Sequence, residues 1–132
     1  MSRVRGRDTK PELALRRELW KRGLRYRLHV SDLPGRPDLV FTRQRVAVFV
    51  DSDWWHGRII RESGEDELRK HLRGHSQDWW VKKLCRNVER DDEVTLQLRE
   101  LEWTVVRVWE SELLENTRVV ADNIETILQE CD

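Results

Sequence analysis

The chain has little of what staples small domains together. Among its 132 residues are only two cysteines, Cys85 and Cys131, far apart and without a Cys-x-x-Cys spacing. That excludes a disulfide framework and suggests no zinc knuckle, so both thiols are expected to be reduced and inert. Three prolines and six glycines form no linker, and neither a repeat nor a low-complexity block is present. No apolar run approaches the ~18 residues of a membrane span. Met1 to Arg7 is basic but lacks the apolar stretch of a secretion signal. The expectation is a cytoplasmic protein with no membrane contact. An excess of either charge is also missing: 25 Lys and Arg balance 25 Asp and Glu, which argues against binding nucleic acid by bulk attraction alone.

What is present is enough for one core. Hydrophobic residues make up 38% and charged residues another 38% of a 16.0 kDa chain, which suits a single globular domain over residues 1–132. The zero net charge hides a polarity. Arg3, Arg5, Arg7 and Lys10 crowd the start, whereas Glu110, Glu112, Glu115, Asp122, Glu125, Glu130 and Asp132 lie towards the end. A basic arm over residues 1–8 can neutralise phosphates and position a protein on a duplex; a solvated tip is the alternative. Seven tryptophans, at 20, 54, 55, 79, 80, 103 and 109, are the other excess.

The pattern of elements predicts an α/β sandwich around a central mixed sheet, in the order α-β-β-β-α-β-α. Thr9-Lys10-Pro11-Glu12 reads as a helix start, with Thr9 as N-cap and Glu12 in the capping-box place. That helix should run to about Arg22 and stop at Gly23. Tyr26 to His29 and Asp38 to Phe41 read as strands flanking a turn at Leu33 to Arg36. Val46 to Val50 is an unbroken apolar run, the mark of a strand covered on both faces. From Gln77 to about Leu101, Trp80, Leu84, Val88, Val94 and Leu98 recur at helical spacing. Asp91 interrupts that stripe, and a carboxylate there needs a partner, a metal or water. Trp103 to Trp109 alternates as a strand, and Arg118 to Gln129 carries the apolar positions of a closing helix. The charged stretch between Arg58 and Ser76 is expected to hold a short extra helix. His71 and His75 stand there at i, i+4 spacing, more in keeping with a solvated face than with a metal site.

Two acidic strand ends point to chemistry. In an antiparallel hairpin the start of one strand lies beside the end of the next, so Asp38 and Asp51 should be close. Clustered carboxylates at a sheet edge can hold Mg²⁺; taken singly, Asp38 can also cap a turn and Asp51 can simply end a strand. Asp51-Ser52-Asp53-Trp54-Trp55-His56-Gly57 packs carboxylates, indoles and an imidazole into one loop. His56 can act as a general base near neutral pH. Trp54 and Trp55 read either as core or as rings that stack on bases, and two adjacent loop indoles do not easily both face one core.

Several runs, in order along the chain, resemble the Vsr mismatch endonucleases: Arg7-Asp8-Thr9-Lys10-Pro11-Glu12, Leu33-Pro34-Gly35-Arg36-Pro37-Asp38, Val48-Phe49-Val50-Asp51 with Trp55-His56-Gly57, Asn87-Val88-Glu89-Arg90-Asp91, and Val105 to Glu110. The resemblance covers nearly the whole chain. It implies a restriction-endonuclease-like fold of the PD-(D/E)xK class, a three-layer sandwich, acting as a monomer. It also implies Mg²⁺-dependent nicking of double-stranded DNA on the 5′ side of the thymine in a T:G mismatch. By that resemblance Asp38 and the Val50 carbonyl hold the metal, and His56 activates water with Asp91 as its acidic partner. Glu12 edges the site, although its capping role explains it equally well. Asp51 stands where the best-studied members have histidine, where a carboxylate can bind metal more directly. Trp54, Trp55 and Trp80 form an aromatic wedge, Arg3, Arg5 and Arg7 belong to a DNA-gripping arm, and Trp79 has no counterpart. A related nuclease with another mismatch or modified-DNA trigger, and a non-catalytic mismatch binder, are the alternatives.

The departures are as informative. The family commonly carries a structural zinc held by three cysteines and a histidine, and the corresponding positions here are Asp53, Arg58, Ile60 and Ser111. No sulfur-rich tetrahedral site can form from that set, so a zinc-free variant is expected.

Overall fold

A computed structural model describes residues 8–72 and 76–132; Arg3, Arg5 and Arg7 of the expected arm, and His75, lie outside them. The first helix, α1 (Lys10–Lys21), begins where the sequence places it, with the Thr9 side chain accepting from the Glu12 amide. The capping box does not close on itself. The Glu12 carboxylate accepts instead from the Asp8 amide at 3.0 Å and is 1% exposed. Gly23, at φ +85°, ends the helix.

Strands β1 (Arg27–Leu28), β2 (Leu39–Phe41), β3 (Val46–Asp51) and β4 (Thr104–Trp109) form one sheet in the order β1-β2-β3-β4. The first three pair antiparallel; β3 and β4 pair parallel, with Phe49 opposite Arg107 and Asp51 opposite Trp109. All six residues of β3 are buried, as an apolar run covered on both faces should be. Alternation along the strand then sorts its side chains. Val46, Val48 and Val50 join Leu15 and Leu19 of α1 and Ile124 and Leu128 of α5 (Glu110–Cys131) in the main core. Ala47 and Phe49 turn to the other face and meet Val94 and Leu98 of α4 (Gln77–Glu100). Helices therefore cover both faces of a mixed sheet, and Asp51, two residues beyond Phe49, points to the α4 side.

The segment after the loop forms two short helices rather than one, α2 (Arg58–Ser63) and α3 (Glu65–His71). Their apolar residues and the N-terminal half of α4 make a third cluster around Leu68, Val81 and Leu84. The closing helix starts eight residues before the expected Arg118, running on from β4. Non-helical angles at Asn116 (φ −160°, ψ 91°) kink it, and the Asn116 side chain caps the second half by accepting from the Val119 amide. The apolar period of 118–129 belongs to that second half, which is why the first turns are not legible from periodicity. At the opposite end of α1, Arg22 binds Glu18, Asp122 and Glu125 and so ties α1 to α5 instead of serving the helix dipole alone.

Gly57, directly after His56, has φ +68°, and a Cβ there would stand 2.5 Å from the Val88 Cγ2 atom of α4. Left-handed backbone and overpacking both oppose a side chain at this position. Gly57→Ala is expected to lower stability by about 2 kcal/mol or more, read as a lower urea midpoint at unchanged slope.

Candidate active site

Among the described residues three carboxylates are buried: Glu12, Asp38 and Asp51, at 1%, 8% and 4% exposure. Each is held differently, and the difference decides what each can do. Asp38 directly precedes β2, and its Oδ2 accepts from the Val50 amide of β3 at 2.7 Å. In an extended strand a residue's N–H and C=O point to the same side, so the Val50 carbonyl faces the Asp38 edge as well. Burial, with help from the charges of Glu12 and Asp51, pushes the Asp38 pKa up to about 7 against the relief given by the Val50 amide. The carboxylate is short of positive charge, as a cation ligand without its cation would be.

Asp51 ends β3 and faces α4, where Arg107 of β4 meets both of its oxygens at 3.2 and 3.1 Å. Burial raises its pKa, and His56 and Arg107 oppose the rise. His56 lies in the turn that follows, its amide bonded to the Ser52 carbonyl. Its Nδ1 is 2.5 Å from Asp91 Oδ2 and 3.7 Å from Asp51 Oδ1. Among the described residues Nε2 has no hydrogen-bond partner. Burial works against the charged imidazole, but the Asp91 bond and the Asp51 and Asp91 charges outweigh it and raise the pKa. The break in the helical stripe at Asp91 thus has its partner. Trp55, His56, Lys83, Asn87, Arg90 and Asp91 line a pocket of about 440 Å³ in front of this pair.

Glu12 does more than cap a helix, and it brings in a residue that no pattern in the sequence marks out. The His29 ring lies between Glu12 and Asp38, with Nε2 3.3 Å from Glu12 Oε2 and Nδ1 3.6 Å from Asp38 Oδ1. Asp8, Glu12 and His29 present ligand atoms within 4.8 Å of one another, a spacing that can hold a metal ion. Arg16 already fills that space: its Nη2 contacts Glu12, Asp8 Oδ1 at 2.6 Å and His29 Nε2 at 2.9 Å. The guanidinium only donates, so it stands where a cation would and leaves His29 Nδ1 facing Asp38. The only hint in the sequence was a lone histidine on a short strand, a common structural residue.

Trp54 and Trp55 both pack against the third cluster, with centroids 5.3 and 5.6 Å from that of Trp80 between them. The expectation that two adjacent loop indoles do not easily both face one core is corrected by that arrangement, because Trp80 offers an indole to each neighbour. All three remain partly exposed. Trp79, left unassigned by the sequence, meets the edge of Trp80 at 5.0 Å and is 58% exposed.

The family model for the DNA mismatch endonuclease Vsr matches residues 1–62. The chain is 38% identical to the type II nicking enzyme V.NmeDIP of Neisseria meningitidis serogroup C, over 94% of this chain and 80% of that one. It is 40% identical to the type II nicking enzyme V.NaeI of Lentzea aerocolonigenes, over 96% and 74%. The DNA mismatch endonuclease Vsr of Escherichia coli K12 is 31% identical over 98% and 79%. The chain belongs to the Vsr endonuclease family. It is a nicking DNA endonuclease, a hydrolase, and among the described residues no helix is long and apolar enough to cross a membrane.

For a Vsr-family chain, the positions expected to replace the zinc ligands do not fit a zinc ion. Arg58 Nη1 donates to Asp53 Oδ2 at 2.9 Å and to Ser111 Oγ at 2.8 Å. The Ser111 amide and hydroxyl donate to Asp53 at 3.0 and 2.6 Å. Burial opposes ionisation of Asp53, but the Ser111 and Arg58 bonds prevail and lower its pKa. Three of the four positions thus form a polar clip between the loop and the start of α5, while the fourth, Ile60, is apolar and packs in the third cluster. The part of Ser111 comes from the β4–α5 junction, which brings it to Asp53 from 58 residues away in the chain. Elemental analysis after dialysis is expected to find far less than one zinc per chain, and a stoichiometric ion would overturn this.

A second outcome follows from Asp38. Its folded pKa, about 7, lies above the ordinary 3.8, so its contribution to stability is full below about pH 4 and is lost as pH rises through about 7. Asp51 and His56, also raised, act in the same direction. In EDTA, stability should therefore fall progressively from about pH 4 to about pH 7 and level off above, so that it is lower at about pH 8 than at about pH 6. Asp38→Asn, which keeps the Val50 bond without the charge, is expected to raise stability at about pH 8 by ~2 kcal/mol, within the ~4 kcal/mol that the full pKa difference allows. The same variant should abolish nicking. Urea titrations at the two pH values and a nicking assay check both.

Proposed function

We propose that this chain is a Mg²⁺-dependent, strand-specific endonuclease of the PD-(D/E)xK type that cuts on the 5′ side of the thymine in a T:G mismatch within double-stranded DNA, as in very short patch mismatch repair. The observation that carries this reading is the juxtaposition at one end of the sheet of a charge-starved Asp38, bonded to Val50, with a His56–Asp91 pair. Pro37-Asp38 and Asp51 supply the first letters of the PD-(D/E)xK pattern; position 53 is aspartate rather than lysine and is engaged in the clip. Asp38 and the Val50 carbonyl are the ligands we assign to Mg²⁺, an ion that takes oxygen donors and keeps several waters. When bound, the ion supplies charge that stabilises the phosphodiester during attack and departure.

The chain's own groups divide the rest. His56 is oriented through Nδ1 by Asp91, leaving Nε2 to take a proton from the attacking water. Glu12 fixes His29 and the Asp8–Arg16 corner beside Asp38. Trp54, Trp55 and Trp80 form the wedge. A wobble pair is easier to unstack than a matched pair, so insertion of these rings favours the mismatch. The Trp55 carbonyl is held by the Asn87 side chain at 2.9 Å, which couples the wedge to the helix that carries Asp91. Arg3, Arg5 and Arg7 are assigned to phosphate contacts.

A second reading has a specific support. Relatives of 38% and 40% identity are named type II nicking enzymes, which favours a family member with its own sequence context or trigger. One experiment separates the two. A strand-labelled duplex with a single T:G pair is compared with its T:A counterpart, in Mg²⁺ and in EDTA, using the intact protein and Trp55→Ala. The expected result is a Mg²⁺-dependent nick beside the thymine in T:G alone, with Trp55→Ala reducing the preference for the mismatch at least tenfold, about 1.4 kcal/mol. Equal cutting of both duplexes by the intact protein would discard the mismatch specificity and keep the nuclease.

A further inference from the structure

Arg107 was not among the residues singled out by sequence, yet it uses every nitrogen of its guanidinium at the site. Nη1 bonds both oxygens of Asp51, at 3.2 and 3.1 Å. Nη2 donates to the Asp91 carbonyl at 3.3 Å, and Nε to the Thr95 hydroxyl at 2.9 Å. The plane sits over Phe49, with Cζ 4.1 Å from the ring centroid. Parity on parallel neighbours produces this arrangement. Arg107 stands opposite Phe49 in register, so its side chain shares the α4 face with Phe49 and Asp51 and meets one turn of α4 at Asp91 and Thr95. An ammonium, with one nitrogen, cannot span these partners.

Two carboxylates approach the same atom of His56, Asp91 at 2.5 Å and Asp51 at 3.7 Å. Like charges that close repel unless a cation stands between them. Arg107 neutralises one of them, the Asp51 carboxylate, and through the Asp91 backbone carbonyl it ties that residue's turn of α4 to the same guanidinium. We propose that Arg107 is a positioning residue of the nicking reaction: by pairing with both oxygens of Asp51 it keeps that carboxylate off the metal and fixes it, with Asp91, on the Nδ1 side of His56. Asp51 then orients the base, and Asp38 is the carboxylate that serves the ion. The inference rests on the active-site reading above.

The test is a double-mutant cycle on the full chain with Arg107→Gln, Asp51→Asn and the pair combined, plus Arg107→Lys. Three quantities are read: kcat and KM on the T:G duplex, the Mg²⁺ concentration for half-maximal nicking, and the urea midpoint in EDTA. Each single amide variant leaves one charge unpaired and the site misaligned, so kcat should fall about a hundredfold with KM little changed. The combined variant, with two amides facing each other, should recover to within about tenfold of the intact protein. Arg107→Lys, which keeps the charge without the fork, should fall between. The half-maximal Mg²⁺ concentration should stay within about threefold throughout, and the urea midpoint should drop in each single variant and return in the pair. The proposal is overturned if Asp51→Asn raises the Mg²⁺ requirement tenfold or more, if Arg107→Gln leaves kcat within about twofold, or if the combined variant is no better than the singles. Failure of the intact protein to nick the T:G duplex at all would instead refute the functional reading, and the urea cycle would still decide whether the pair exists.

Discussion

The hydrogen bond from the Val50 amide to the Asp38 carboxylate is the constraint on which the proposed site depends. It locks the start of β2 to the end of β3 beyond the last ladder pair, Leu39 with Val48. With that bond in place, Asp38 cannot swing out to water, and burial leaves it short of counter-charge. The same bond fixes the last residues of β3, so alternation aims Asp51 at α4 and the chain then turns into the His56 loop. A buried carboxylate short of counter-charge lowers the stability of the fold once it ionises, and under the proposed function a bound cation would relieve that cost.

Around this centre, the remaining polar groups act mostly by orienting one another. Asp91 interrupts the apolar stripe of α4, and its place is accounted for by His56. Asp53, Arg58 and Ser111 fasten the far end of the loop to α5, so that the tryptophans and His56 are held between two fixed points. The indoles are neither free wedges nor ordinary core. They share a satellite cluster under the loop, part buried and part exposed, which lets them be rigid and still accessible.

Much of this was legible in the sequence because it follows from short-range rules. The apolar run at 46–50, the helical stripe from Trp80 to Leu98 and the Thr9 cap each specify an element without reference to the rest of the chain. The closeness of Asp38 and Asp51 needed only the assumption of a hairpin, and the Asp91 anomaly was visible as a polar intrusion into an apolar period. Other features depend on which elements meet. His29 gains its place between Glu12 and Asp38 from the way α1 packs beside β1. Arg107 was invisible because an arginine in an alternating strand looks like a solvent-facing residue until the parallel pairing with β3 is known. The capping reading of Glu12 was half right for a similar reason: the residue is at the helix start, but its charge is claimed by Arg16.

The parallel pairing of β3 with β4 has one more implication. The segment up to His56 carries both Asp38 and Val50, yet Asp91, the partner of His56, and Arg107, the partner of Asp51, arrive only with α4 and β4. Local hairpin contacts can form early, whereas the parallel neighbour must wait for a long connection. A chain emerging from the ribosome therefore carries Asp38 and Val50 before it carries the residues that hold Asp51 and His56 in place. The corner that joins Asp51, His56, Asp91 and Arg107 is complete only when the last strand of the sheet is laid.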